Sequence, residues 1–127
     1  MCLVKIHKFP RISWKPIICY KVLKRQKGSY MTPCVNYFIT ENKEVIKGSE
    51  NFFEGLKSRN IYGWGVHAFT NMFDAMNTAN YFCMIDQRIG GHVVVKCIIP
   101  RFTFYFYGKN NEICSRKMII CLNNEKQ

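Results

Sequence analysis

Residues 65–99, GVHAFTNMFDAMNTANYFCMIDQRIGGHVVVKCII, decide the fold class because the hydrophobic period changes twice within them. Val66 to Phe69 is a short strand. Met72, Ala75, Met76, Ala79, Phe82 and Cys83 then recur at i, i+3, i+4, i+7, i+10 and i+11, which predicts a helix over about 71–83 with one apolar stripe. Thr70 or Asn71 supplies the N-cap, and Asp74 stands in the first turn, where the helix dipole favours an acid. Gly90-Gly91 permits a turn. His92 to Ile99 is β-branched and ends at Pro100, the pattern of a buried strand.

Working outward, residues 17–24 alternate loosely and form a first strand. Gln26 to Ser29 is a turn, and Tyr30 to Ile39 a second strand with Pro33 at an edge or bulge. Thr40 to Gly48 is polar and reads as a loop. Ser49 caps a short helix over about 50–58, with Phe52, Phe53 and Leu56 on one side. Towards the C-terminus, Phe102 to Tyr107 is an aromatic strand, Gly108 to Asn111 a hairpin loop, and Glu112 to Leu122 the last strand. Residues 123–127 form a tail expected to fray. Hairpin-length connections imply antiparallel pairing, so the sequence predicts a single α+β domain over 1–122 with a curved, mostly antiparallel sheet.

The composition agrees. A chain of 127 residues with 48% hydrophobic and 21% charged residues fits one globular domain. Two-domain enzymes, coiled coils and collagen-like chains are excluded. Apolar runs such as Met118 to Leu122 are far short of the ~18–20 residues that span a bilayer. No signal-peptide pattern opens the chain, so no membrane association and a cytoplasmic location are expected. Seven cysteines are an odd number, and Cys19, Cys97 and Cys121 sit in apolar runs, as buried free thiols do. No Cys-x-x-Cys or Cys-x-x-His spacing supports a metal site, and no motif calls for a cofactor.

Charge is the unusual quantity. The net charge is +11, and residues 1–30 hold eight basic residues and no acid. Residues 31–60 hold four of each sign. Lys21, Lys24, Arg25 and Lys27, with aromatic residues between the N-terminal cations, form either an anion-binding face or a solvated surface. In Phe102 to Tyr107, alternation predicts phenylalanines inward and tyrosines outward, which leaves Tyr105 and Tyr107 free to stack on bases. Trp64, between Gly63 and Gly65, is a further stacking candidate beside His67. His67 reads either as a hydrogen-bonded structural residue or as a base, and His67 and Glu112 are the two catalytic candidates.

Two resemblances add to this. Met1-Cys2-Leu3, Ile18-Cys19-Tyr20-Lys21-Val22-Leu23, Gly65-Val66-His67-Ala68-Phe69 and Val93-Val94-Val95-Lys96-Cys97 resemble a group of short uncharacterised bacterial and phage proteins that begin Met-Cys-Leu. That likeness implies a phage setting and a counter-defence role. More distantly, Tyr20-Lys21-Val22, the glycine-led strand entering an Ala-rich helix with Tyr81, and the valine strand are similar to the ADP-ribosyltransferase fold. The family uses a His or Arg on the first strand and a late Glu to handle NAD. Here those places fall at Tyr20 or Lys21 and, loosely, at Glu112.

The expectation is therefore a small basic binding protein that captures an anionic nucleotide, RNA or DNA. The alternatives are an NAD-using transferase and an interaction module for an acidic protein.

Overall fold

The computed structural model describes residues 3–4, 9–26, 29–31, 38–39, 42–48, 60–61, 65–87 and 91–126. The elements are β1 (Leu3–Val4), β2 (Arg11–Ile12), β3 (Ile17–Gln26), β4 (Ser29–Met31), β5 (Phe38–Ile39), β6 (Glu44–Lys47), β7 (Asn60–Ile61), β8 (Val66–Phe69), α1 (Met72–Asp86), β9 (His92–Ile99), β10 (Phe104–Tyr107), a 3-10 turn (Lys109–Asn111), β11 (Glu112–Ser115) and β12 (Lys117–Lys126). Every strand pairing among the described residues is antiparallel. The fold is α+β, with one main helix against a curved sheet.

The main sheet runs β2-β10-β11-β8-β3-β9-β12-β6, with β4 and β5 attached beside β3. β11 and β12 are separated in the chain by Arg116 alone, yet β8, β3 and β9 lie between them in the sheet. The sheet must therefore curl until these two places meet. Its inner face holds the larger core: Cys19, Leu23, Ile46, Val66, Ala68, Val95, Cys97, Ile99, Ile113, Met118 and Ile120. On the outer face, Ala75 and Ala79 of α1 pack on Val22, Phe69 and Val94, with Met72, Met76 and Phe82 at the margin. The small alanines let the helix axis approach the strands closely.

Several expectations need correction. The helix runs three residues past Cys83, to Asp86, and stops at Gln87, whose left-handed backbone (φ 54°) directs its amide to the carbonyls of Cys83 and Met84. Asn71 is the N-cap, its side chain accepting from the Asp74 amide at 2.9 Å. Residues 44–47 form an edge strand instead of a loop, because Ile46 alone needs to face the core. The last strand is interrupted at Arg116, and β12 continues through Lys126, beyond the end expected at Leu122, by pairing back onto Val94 after a register shift. The aromatic strand starts at Phe104, and its facing is the reverse of the expected one. Tyr105 is buried in the inner core and Phe104 is exposed, while Phe106 is buried on the opposite face. Both faces of β10 are covered at that point, so burial does not sort Phe from Tyr. The short helix over 50–58 lies outside the described residues.

The helix-to-sheet contact can be tested by placing a charge in it. Ala75 is 0% exposed, and an unpaired carboxylate there costs several kcal/mol, a large part of a small domain's stability. Ala75→Asp should abolish the cooperative thermal transition seen by circular dichroism. Met76→Asp, at a half-buried site with a route to solvent, should melt cooperatively at a lower temperature. An Ala75→Asp protein that melts like wild type would overturn the packing of α1 on β3 and β9.

Candidate functional site

Among the described residues, the basic positions chosen from the first thirty differ in burial. Lys21 is 8% exposed on the inner face of β3, and its Nζ donates to the His67 carbonyl at 2.7 Å. A single ladder pair, Tyr20 with Phe69, joins β3 to β8, and the Lys21 bond reinforces that narrow contact. Lys21 is thus a staple within the core and is withdrawn from any surface ligand. Lys24 and Arg25 are half-buried near the far end of β3, opposite Met31 and Tyr30 of β4. Lys27 and Trp64 lie outside the described residues.

His67 and Cys114 face each other across β8 and β11, with Nε2 to Sγ at 3.8 Å. Burial, then the Lys21 ammonium, lowers the His67 pKa to about 3. Burial pushes the Cys114 thiol up to about 12. A cysteine nucleophile needs a thiolate beside an imidazolium, and this environment favours both neutral forms. Tyr20 and Glu112, the positions implied by the transferase resemblance, lie in one cross-strand row on either side of Phe69. Burial raises the Glu112 pKa. Tyr105 and Tyr107 contact each other edge to face at 5.3 Å on the inner side, with the Arg11 guanidinium 5.5 Å from the Tyr107 ring. Their rings are used in the protein's own packing, so the outward stacking expected of them is corrected.

A different set of residues comes together where the curled sheet meets itself. The Arg116 amide donates to the Phe104 carbonyl at 3.0 Å, and its carbonyl accepts from the Gly48 amide at 2.6 Å. This seam leaves a groove of about 520 Å³ lined by Lys47, Gly48, Phe102, Thr103, Phe104, Arg116 and Lys117. None of the lining residues among those described is acidic. Lys47 and Lys117 are directly opposed across β6 and β12. Directly opposed like charges destabilise a strand pair, and an anion between them removes the penalty. Thr103 is 3% exposed, and its Oγ1 has no hydrogen-bond partner among the described residues. An unsatisfied buried hydroxyl costs about 1–3 kcal/mol until something fills its valence.

The aromatic wall of the groove is held under strain. Phe102 has φ 64°, a left-handed conformation that is costly for a bulky side chain. Buried Ser13 imposes it. The Phe102 amide donates to the Ser13 carbonyl at 2.6 Å, and the Ser13 amide donates to the Thr103 carbonyl at 3.0 Å. Ser13 Oγ donates to the Pro100 carbonyl at 2.6 Å and accepts from the Thr103 amide at 2.9 Å. The result is a ring left 55% exposed, with Trp14 edge-on at 6.0 Å and the Arg101 guanidinium 4.5 Å above it. Sequence reasoning missed Lys47, Phe102, Thr103, Arg116 and Lys117. Comparison with protein-family models, curated proteins and solved structures finds no match for this chain.

Two measurements follow from this chemistry. Phe102→Gly and Phe102→Ala both delete the ring, but only glycine relieves the positive φ, which costs other residues about 1–2 kcal/mol. The glycine variant should melt about 3–6 °C above the alanine variant. The reverse order, normal for an unstrained site, would remove the strain. For His67, the unfolded state takes up a proton near pH 6.5 and the folded state only near pH 3. Stability is therefore present above pH 6.5 and is lost as pH falls, by about 1.4 kcal/mol per unit until it levels near pH 3. Denaturant titrations of wild type and His67→Gln should diverge along that window. Parallel pH profiles would mean that His67 titrates normally.

Proposed function

We propose that the protein binds an anionic, base-bearing ligand, a nucleotide or nucleic acid, in the groove between Phe102 and Lys117. The observation that carries this reading is the groove's chemistry: opposed Lys47 and Lys117 with Arg116, exposed phenylalanine rings, and no acid in the lining among the described residues. Cations neutralise phosphate, and an exposed ring offers a face to a base, worth about 1–3 kcal/mol per stacked base. The buried Thr103 hydroxyl lies in the wall of the same groove. Among the described residues no histidine, cysteine or carboxylate lines the groove, and binding is the reading that its cations and rings support best.

The test compares two charge reversals with a fluorescent oligonucleotide and a fluorescent ATP analogue as probes. Lys47→Glu with Lys117→Glu should weaken binding at least about tenfold and flatten its salt dependence. Lys24→Glu with Arg25→Glu, at the other end of β3, should change affinity by less than about threefold. Equal losses from the two pairs, or affinity indifferent to salt, would overturn the groove as the binding site.

A further inference from the structure

We infer that the ligand of this groove is a single strand of nucleic acid, read by stacking along an aromatic track that leaves the groove at Phe102 and continues to Trp14. The inference rests on the anionic-ligand reading above and narrows it to one class. Phe104 and Phe102 line the groove, and Trp14, 69% exposed, lies 6.0 Å beyond Phe102. The three rings sit on a surface that also holds Arg101 on Phe102, Lys15 next to Trp14 in the chain, and Arg116, Lys117 and Lys47 within the groove.

Alternating rings and cations match a strand whose phosphates and bases lie side by side. A mononucleotide would occupy the groove and leave Trp14 unused. A duplex presents phosphates but no base faces, because its bases stack on one another, and unstacking costs a few kcal/mol per step. Unpaired bases cover exposed rings while their phosphates meet the neighbouring cations. The strained Phe102 backbone points the same way. Ser13 is a positioning residue whose bonds to residues 100–103 hold the ring out of the surface, where relaxation would let it fold down.

Fluorescence anisotropy tests this with four labelled probes at one salt concentration. They are an oligothymidylate and an oligouridylate of about 12 nucleotides, a duplex of the same length, and an ATP analogue. Both single strands should bind at least about tenfold more tightly than the duplex or the ATP analogue. Phe102→Gly, which keeps the turn and removes the ring, and Trp14→Ala should each weaken single-strand binding at least about fivefold without lowering duplex affinity. Lys47→Glu with Lys117→Glu should weaken every probe.

If the duplex binds as tightly as the single strands, or if both ring variants bind them like wild type, the single-strand assignment fails while the anionic groove stands. If the ATP analogue binds as tightly as the oligomers and Trp14→Ala has no effect, the groove is a mononucleotide site. If none of the four probes binds, both readings fall.

Discussion

The backbone of Arg116 carries a constraint on which the rest of the architecture depends. Its amide bonds to Phe104 and its carbonyl to Gly48, so one residue joins the β10 side of the sheet to the β6 edge. Because β11 and β12 are continuous through this point, β8, β3 and β9 must arch over the space between them. That arch encloses the larger core and leaves the opposite face for α1. It also brings Lys47, Thr103 and Lys117, distant in the chain, to one seam. Two short hydrogen bonds thus determine both where the apolar side chains go and where cations accumulate.

The seam is also where the fold departs from its own energetic preferences. Opposed lysines, a left-handed phenylalanine and an unfilled threonine hydroxyl occur within one small groove. The strained backbone and the unfilled hydroxyl each cost on the order of one kcal/mol or more, and the exposed lysine pair adds a smaller repulsion. Scattered over a surface they would be unrelated defects. Gathered around one cavity, they mark the seam as the place where the fold holds strain and like-charge repulsion together. The His67–Cys114 pair lacks this property: burial suppresses the charges that would make it reactive.

What the sequence revealed follows the range of the forces involved. The α1 stripe, the Asn71 cap, β8 and β9 are set by residues within a turn or a pleat of one another, and their periodicity was legible. Edge strand β6 was not, since Val45 and Lys47 are exposed, Glu44 is a half-buried acid and only Ile46 is buried. β10 defeated alternation because both of its faces are covered. The groove was least legible. Phe102 projects because Ser13, about ninety residues earlier, holds the turn at Thr103. Lys21, by contrast, looked like surface charge because nothing local reports that its side chain reaches the His67 carbonyl.

The distribution of charge over the fold gives the groove its reach. Among the described residues, α1 holds Asp74 and Asp86 and no basic residue, and it packs against Val22 and Val94, towards the end of β3 and β9 away from the seam. The seam holds Lys47, Arg116 and Lys117, with Arg101 and Lys15 nearby in the chain. Ile17 and Lys24 lie seven residues apart on β3, about 23 Å along the strand, so the two ends are separated by more than twice the ~8 Å physiological screening length. The helix acids therefore cancel little of the field of the seam cations. Such an asymmetric field orients the encounter before contact and speeds association. Lys24 and Arg25 add cations at the other end of β3, so the net charge of +11 belongs to the whole fold.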